Sequence, residues 1–300
     1  MIGVIDLGSN TIRLVIYDTY LNKFKTIHTV HDTLKLSMYL DSLGNLSDEG
    51  IKLLEKTLVK FQRVALEYPL DSFYILATAV IRNANNQDEI CQYFEKLGLY
   101  ITVLSSYEEA YLGYIGVKEV YKVRNGLVID IGGGSTEISY IKNHDFIETL
   151  SMPYGALNLS LMYENHMPNK EDIDKMNQMI HEQLIQLKKQ PIDNIYGVGG
   201  TIKIIKKLTR EYIRKNVDYL IINDIKKIKQ VILENQEFRK KLYLEHQDRV
   251  EMLLPAIYLI EAIFNYFDAK RLYVSRTGFR EGFMRTLVKK GKCWCTYLFC

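Results

Sequence analysis

The second half of the chain opens with the stretch Gly126-Leu-Val-Ile-Asp-Ile-Gly-Gly-Gly-Ser-Thr-Glu-Ile-Ser-Tyr-Ile141. An apolar, β-branched run leads to Asp130 and an alternating run begins at Thr136, so the stretch predicts two strands joined by a tight turn. The three successive glycines Gly132, Gly133 and Gly134 support neither helix nor strand. They indicate a backbone that a ligand approaches closely.

The same pattern opens the chain, where Gly3-Val-Ile-Asp6 leads into the loop Gly8-Ser9-Asn10. The two aspartates are 130 − 6 = 124 residues apart. A strand-turn-strand unit repeated at domain-sized spacing predicts two copies of one architecture. Because helical and strand patterns alternate, the predicted fold class is α/β, with domains at residues 1–120 and 121–300 that share a cleft.

The periodicity of apolar residues predicts where the helices lie along the chain. Ser47 is a predicted N-cap for a helix that ends before Pro69, and a second helix is expected from about Ser106 to Val120. In the second half we predict helices near 170–189, 202–214, 224–242 and 247–267, strands near 194–198 and 271–275, and a closing helix from about 278.

Composition excludes several function classes. No segment approaches the roughly 18 uninterrupted apolar residues of a membrane span, and no secretory signal precedes the first strand, so we expect a cytoplasmic protein with no membrane partner. A net charge of +3 is too small to indicate a nucleic-acid partner. The six histidines are scattered, so any metal would be held by oxygen. The tail that carries Cys293, Cys295 and Cys300 is assigned no function.

The glycine loops predict phosphate binding. Bare N–H groups in a glycine turn form an anion-binding nest, and Ser135 adds a hydroxyl donor. The motif Gly-Lys-Ser/Thr is missing, so this is not a Walker loop. One such loop could equally be a plain hairpin turn. Two copies, at Gly8–Asn10 and Gly132–Ser135, each following an aspartate, favour phosphate.

A third glycine loop, Gly199-Gly200-Thr201, follows a predicted strand and opens the helix that carries Lys203, Lys206 and Lys207. Helix N-termini attract anions through their free N–H groups and the helix dipole. The basic run that follows is either a solvated helix face or a guide for a polyanion.

Four side chains supply the predicted chemistry. Asp130 and Glu137 flank the triple glycine, where their carboxylates can hold Mg²⁺ while phosphates provide other ligands. Glu109 shares a helix face with small residues that allow close packing, so it is a candidate base with a partly desolvated carboxylate. Arg82 offers a guanidinium fork that matches phosphate, although a loop arginine is ordinarily solvated.

In order along the chain, these motifs resemble the exopolyphosphatase/guanosine-pentaphosphate phosphatase family of the actin-like ATPase superfamily. The resemblance rests on seven motifs: Asp6-Leu-Gly-Ser-Asn-Thr-Ile-Arg13, Ala77-Thr-Ala-Val-Ile-Arg82, Tyr107-Glu-Glu-Ala110, Asp130-Ile-Gly-Gly-Gly-Ser-Thr-Glu137, Met152-Pro-Tyr-Gly-Ala156, Gly197-Val-Gly-Gly-Thr201 and Ser275-Arg-Thr-Gly-Phe-Arg-Glu-Gly282.

The resemblance implies two ribonuclease-H-like domains flanking a cleft. It implies that Glu109 is the general base, that Asp130 and Glu137 serve the metal, and that Arg82 and the first two loops grip phosphate. Arg249 matches a further arginine of the family. Tyr111 and Asn158 stand where many members have arginine, and the chain resembles a short, two-domain member.

The expected function is that of an exopolyphosphatase, which releases terminal phosphate from inorganic polyphosphate by Mg²⁺-assisted attack of water. The family's other reaction, hydrolysis of the 5′ γ-phosphate of guanosine pentaphosphate, stays open. So do an actin-like sugar or metabolite kinase and a non-catalytic sensor of guanosine polyphosphates. The sequence allows a homodimer without predicting it.

Overall fold

The structure is a computed structural model that describes residues 1–163, 167–247 and 249–290. It divides into two compact units. The first contains Met1–Glu119 together with the helix Phe279–Lys290, and the second contains Val120–Gly278. The division after Glu119 lies beside the expected boundary, but that final helix packs in the first unit rather than in a domain running from 121 to 300. The cysteine tail lies outside the described residues.

The elements alternate along the chain as an α/β protein requires. The strands are β1 Ile2–Leu7, β2 Thr11–Tyr20, β3 Lys23–Thr33, β4 Ser72–Ala77, β5 Ile101–Val103, β6 Gly126–Ile131, β7 Thr136–Lys142, β8 Asp145–Met152, β9 Asn194–Val198, β10 Tyr219–Leu220 and β11 Arg271–Val274. The helices are α1 Asp48–Ala65, α2 Ala79–Arg82, α3 Gln87–Lys96, α4 Ser106–Lys118, α5 Ala156–Ser160, α6 Lys170–Leu184, α7 Gly200–Tyr212, α8 Ile222–Glu234, α9 Gln236–Glu245, α10 Val250–Phe267 and α11 Phe279–Lys290.

Each unit is built on one sheet, and the two sheets share a topology. In the first unit the strand order is β3-β2-β1-β4-β5, with β1 antiparallel to β2 and parallel to β4. In the second unit the order β8-β7-β6-β9-β11 repeats this arrangement, and β10 is added at the edge. The repeated strand-turn-strand motif in the sequence therefore corresponds to a repeated architecture.

The first strand shows why its sequence is almost uniformly apolar. Side chains alternate between the two faces of a strand, and both faces of β1 are covered. Ile5 and Leu7 lie in one core cluster with the buried stripe of α1. Ile2 and Val4 lie in a second cluster with Phe283 of α11.

The predicted helix after Ser47 is confirmed. The Ser47 side chain accepts a hydrogen bond from the Gly50 N–H at 3.3 Å, as an N-cap does. The predicted pattern at 224–242 is instead two helices, α8 and α9. Asn235 ends the first and caps the second, where its side chain accepts from the Phe238 N–H at 2.9 Å.

One helix among the described residues, Val250–Phe267, is long and apolar enough to cross a membrane by length and composition. In the structure 67% of this stretch is buried inside the protein. Its residues Leu253, Ile257 and Ile260 are fully covered in the core of the second unit. The helix therefore serves as the central core helix of that unit.

The last helix packs on the first unit through backbone contact with α4. A Cβ atom added to Gly282 would overlap the Leu112 carbonyl oxygen and lie 2.9 Å from the Gly116 nitrogen. Phe283, the next residue, is fully buried. Only glycine at position 282 lets the two helices approach this closely.

We therefore expect Gly282→Ala to lower the free energy of unfolding by about 1–3 kcal/mol, the usual cost of overpacking. The matched control is Gly113→Ala in α4, where an added Cβ meets nothing within 4 Å. That change should raise the free energy of unfolding by about 0.5–1 kcal/mol, because alanine is favoured over glycine inside a helix. Urea denaturation measures both, and equal effects of the two substitutions would contradict the proposed contact.

Candidate functional site

The triple-glycine loop of the second unit is held by the start of α5. The Gly132 N–H closes the turn on the Ser135 carbonyl at 3.0 Å. The Gly132 carbonyl accepts from the Ala156 N–H at 2.9 Å, and the Gly133 carbonyl accepts from the Leu157 N–H at 3.0 Å. Within the described part of the chain, no backbone hydrogen bond uses the N–H groups of Gly133 and Gly134. The N–H groups of Gly133 and Gly134 thus meet one requirement of an anion nest, which is that they are not used by the backbone.

Gly155 makes this packing possible. A Cβ atom there would overlap the Gly132 carbonyl and lie 2.7 Å from the Ser135 carbonyl oxygen. Asn158, at a position where many family members have arginine, donates its backbone N–H to the Gly133 carbonyl at 3.1 Å. Its Oδ1 atom is buried with no hydrogen-bond partner among the described residues. A water, or a ligand group that donates a hydrogen bond, would satisfy that acceptor.

Asp130 and Glu137 lie directly opposite each other in the hairpin of β6 and β7. Side chains of an opposed antiparallel pair point to the same face, with Cβ atoms about 4.5–5.5 Å apart. Glu137 is 2% exposed, and its Oε1 accepts from the Ser151 hydroxyl at 3.1 Å. Two carboxylates at this spacing repel each other, so the pair favours a cation between them.

The donor set fits Mg²⁺. Both side chains offer carboxylate oxygens, which this hard cation prefers, and Mg²⁺ is commonly held by one or two carboxylates plus phosphates and waters. Among the residues that the structure describes, no group of three or more His, Cys, Asp or Glu side chains converges on a metal position. A cation held by Asp130 and Glu137 alone would keep further coordination positions for waters or other oxygen ligands.

The third glycine loop lies at the end of β6, next to Asp130. Gly199 has a φ of 121°, and a Cβ atom there would be 2.7 Å from the Ile131 carbonyl oxygen and 3.7 Å from Asp130 Oδ1. Only glycine combines this conformation with this approach. Thr201 follows in the first turn of α7 and is 2% exposed. The structure thus brings the third loop and the metal-site candidates together within one unit.

Arg249 joins the same group. A Cβ atom on Gly200 would lie 2.6 Å from the Arg249 Cζ atom, so the guanidinium packs directly against the start of α7. Sequence spacing could not indicate this position, because 49 residues separate the two. The family resemblance was the only signal for Arg249, and the structure places it beside the loop.

The lysines of α7 are partly engaged elsewhere. Lys203 is exposed and donates to the Arg276 carbonyl at 3.1 Å, and Lys206 donates to the Asp218 carbonyl at 3.1 Å. Lys207 lies 3.9 Å from Glu211 one turn along the helix. Lys203 is the lysine nearest in sequence to the third loop, whereas Lys207 belongs to a solvated helix face.

The first unit repeats the hairpin with a different charge. Asp6 lies opposite Arg13, where the second unit has Asp130 opposite Glu137. The Gly8–Asn10 loop is held in the same way, because the Ser9 and Asn10 carbonyls accept from the N–H groups of Ser37 at 3.4 Å and Leu34 at 3.0 Å. An acid opposed by arginine does not need a metal, so this loop is suited to gripping phosphate.

Glu109 is positioned by the N-terminus of α4. Glu108 is used for capping, because its Oε2 accepts from the Ser105 N–H at 2.7 Å while the Ser105 side chain accepts from the Glu108 N–H. Glu109 instead turns inward and is 8% exposed. Arg82 Nη1 lies 2.6 Å from Glu109 Oε2 and also donates to the Leu104 carbonyl at 3.1 Å. The candidate base and the arginine predicted to bind phosphate therefore form one buried ion pair.

The electrostatics of this pair favour a base that retains a proton more readily than an ordinary glutamate. Burial raises the pKa of Glu109 above its usual value of 4.5, the Arg82 guanidinium opposes that rise, and the nearby Asp6 charge adds to it. General bases work best when their pKa approaches the working pH. The direction of the shift is the one that the sequence analysis expected from desolvation.

Comparison with known proteins relates this geometry to a family. A sequence model of the Ppx/GppA phosphatase family matches residues 15–290. A Haemophilus influenzae protein described as a candidate exopolyphosphatase is 26% identical over 303 residues, covering 96% of this chain and 91% of the relative.

Two solved structures are similar over almost their whole length. The crystal structure of the Aquifex aeolicus Ppx/GppA family member is 27% identical with a TM-score of 0.79, and the match covers 96% of this chain and 97% of that one. An exopolyphosphatase from Cytophaga hutchinsonii is 22% identical with a TM-score of 0.85, covering 96% and 97%. At that identity the second match supports the fold.

The buried ion pair makes a prediction about stability and pH. The pKa of Glu109 in the folded state lies above its unfolded value near 4.5. Its contribution to the free energy of unfolding is therefore fully present below pH 4.5 and is lost as the pH rises through the folded-state pKa. Arg82→Met removes the guanidinium that limits the rise. At neutral pH we expect a loss of about 3–5 kcal/mol in the free energy of unfolding, with a smaller loss in acid.

Urea denaturation over a pH series measures this effect. The control is the double variant Arg82→Met/Glu109→Gln, which lacks the buried Glu109 carboxylate. The pH dependence that Arg82→Met adds to the free energy of unfolding should therefore disappear. An Arg82→Met penalty that is the same at every pH would show that the pair is not ionised as described.

Proposed function

Because this chain belongs to the Ppx/GppA phosphatase family, we propose that it is an exopolyphosphatase, which releases terminal phosphate from inorganic polyphosphate. One observation carries the proposal. In the second unit, the opposed carboxylates Asp130 and Glu137, the anion nest of the triple-glycine loop and Arg249 on the third loop lie together. Carboxylates for a metal beside donors for phosphate are what hydrolysis of a phosphoanhydride bond requires.

Phosphate is held by backbone and guanidinium groups. The N–H groups of Gly133 and Gly134 and the first turn of α7 at Gly200–Thr201 provide donors, and Arg249 adds a fixed charge. The Gly8–Asn10 loop of the first unit is likewise suited to phosphate, through its own backbone N–H groups. Asp130 and Glu137 would hold Mg²⁺, which when bound neutralises charge on the phosphate oxygens.

Glu109 takes the proton of the attacking water. The water oxygen forms a bond to the terminal phosphorus as the bond from that phosphorus to the bridging oxygen breaks, and the shortened polyphosphate leaves with the electron pair. Arg82 fixes Glu109 Oε2 at 2.6 Å, so the carboxylate is held in one orientation. A positioned base of this kind contributes about 10²–10⁴-fold to a rate.

The substrate's remaining chain requires further positive charge. Lys203, one turn into α7 from the third loop, is exposed and suited to this task. The proposal keeps the cytoplasmic location expected from the sequence, with no membrane or nucleic-acid partner.

The proposal is tested with purified protein and three substrates: long-chain polyphosphate, guanosine pentaphosphate and ATP, each with and without Mg²⁺. Released phosphate is measured, and ADP is measured where ATP is supplied. Exopolyphosphatase activity predicts Mg²⁺-dependent phosphate release from polyphosphate. If phosphate is released from guanosine pentaphosphate at a higher kcat/KM than from polyphosphate, guanosine pentaphosphate would be the preferred substrate. If none of the three substrates releases phosphate, the assignment as a hydrolase would be refuted.

For Glu109→Gln we expect kcat to fall by about 10²–10⁴-fold with a smaller change in KM, because the amide cannot accept the proton. The matched control is Glu108→Gln, which removes the neighbouring carboxylate that serves only the helix cap. Steady-state kinetics on polyphosphate separates the two. Full activity in Glu109→Gln would show that Glu109 is not the general base, and the assignment of the substrate would still stand.

For Asp130→Asn and Glu137→Gln we expect the Mg²⁺ concentration that gives half-maximal activity to rise at least about tenfold, because each change removes a charged ligand. The control Glu148→Gln removes an exposed carboxylate from β8, in the same sheet. A Mg²⁺ titration of phosphate release provides the measurement. Wild-type Mg²⁺ dependence in both site variants would exclude these two residues as ligands.

A further inference from the structure

A cluster of charged side chains that the mechanism above does not use lies where β1, β2 and α11 meet in the first unit. It consists of Asp6, Arg13, Tyr17, Arg280 and Glu281. Arg280 Nη1 lies 3.5 Å from Asp6 Oδ2, with the two side chains only 18% and 20% exposed. The Tyr17 hydroxyl donates to Glu281 Oε1 at 3.4 Å, and Asp6 lies opposite Arg13 in the hairpin.

The cluster is electrically balanced. Two carboxylates face two guanidinium groups, so its formal charge is zero. Its members affect one another: burial and then Arg280 lower the pKa of Arg13, whereas burial and then Glu281 raise the pKa of Tyr17. Charges interact strongly in such a partly buried setting because water screens them poorly. Removing one charge would therefore change the electrostatic energy of the other members of the cluster.

Backbone contacts bring Glu109 close to this cluster. Its partner Arg82 donates to the Leu104 carbonyl, and the Leu104 N–H donates to the Ala77 carbonyl at 2.9 Å. Ala77 lies beside Leu7 in the sheet, the residue that follows Asp6.

The charged groups that act on Glu109 are Arg82 from α2, which favours its carboxylate, and Asp6 from β1, which disfavours it. Asp6 in turn faces Arg280 from α11 and Arg13 from β2. The strength of the Asp6 charge therefore depends on a residue that the last helix contributes.

We propose that Arg280 is a positioning residue that holds and neutralises Asp6, and so keeps Glu109 available as a base. The proposal rests on the function proposed above, in which Glu109 accepts the proton of water. Arg280 acts through Asp6, and it is supplied by a helix about 170 residues away from Glu109 in the sequence. Loss of Arg280 leaves Asp6 less compensated and so disfavours the Glu109 carboxylate.

The test compares four variants. Arg280→Gln removes the charge, and Arg285→Gln is the matched control, since it removes the same charge from the same helix at a residue paired with Glu119. Arg280→Gln/Glu281→Gln restores a balanced cluster. Asp6→Asn removes the charge that Arg280 neutralises, and it gives a second route if Arg280→Gln fails to fold.

Two readouts are used. The first is the pH profile of kcat/KM, whose acidic limb reports the base of the free enzyme. The second is ¹³C NMR titration of glutamate carboxyl groups, with the Glu109 signal identified by its loss in Glu109→Gln. The second readout needs no turnover. Activity lost in every assay while the NMR shifts persist would refute the proposed function and leave the role of Arg280 intact.

In Arg280→Gln we expect both the acidic limb and the Glu109 titration to move to higher pH, with kcat/KM unchanged on the plateau and several-fold lower in acid. In Arg280→Gln/Glu281→Gln both should return toward wild type, and in Asp6→Asn both should move to lower pH. Arg285→Gln should leave them in place. An unchanged Glu109 titration in Arg280→Gln, or in Asp6→Asn, would overturn the proposal, as would an equal shift in Arg285→Gln.

Discussion

The second unit depends on where the carbonyl groups of its glycine loop point. An anion can approach successive backbone N–H groups only if the intervening carbonyls are turned away from it. The start of α5 does this, because Ala156 and Leu157 donate to the Gly132 and Gly133 carbonyls. Gly155 permits the contact, since any side chain there would overlap the loop backbone. The sequence of this loop is that of a hairpin turn, but the contacts with α5 turn its carbonyl groups away and leave the N–H groups of Gly133 and Gly134 as hydrogen-bond donors.

The two units show how one architecture acquires two roles through a single cross-strand position. In both hairpins an aspartate is the penultimate residue of the buried strand, and a later segment of the chain donates hydrogen bonds to the loop carbonyls. The residue opposite the aspartate is Arg13 in the first unit and Glu137 in the second. Arg13 offsets the charge of Asp6, whereas Glu137 adds to the local negative charge and so favours a metal cation. The difference in charge would suit the second hairpin, and not the first, to hold Mg²⁺ in the proposed reaction.

Much of this was predictable because its signals are local. The repeated strand-turn-strand, the Ser47 cap and the glycine loops depend on residues within a few positions of one another. The helix predicted at 224–242 was wrong as a single element, because Asn235 can both end one helix and cap the next, and periodicity does not register such a break. The contact of Arg249 with Gly200 and the opposition of Asp6 by Arg280 could not be predicted, since each joins residues that only tertiary packing brings together.

The final helix gives the clearest example of a constraint that no local pattern contains. Its sequence predicts a helix, but its position depends on a missing side chain at Gly282, which lets its backbone contact α4 at Leu112 and Gly116. That same approach places Arg280, two residues earlier, beside Asp6, and it holds α4, the helix that carries Glu109. Packing and electrostatics are therefore coupled through one short segment. A change that moved α11 outward would weaken the core of the first unit and would also alter the charge that surrounds the candidate base.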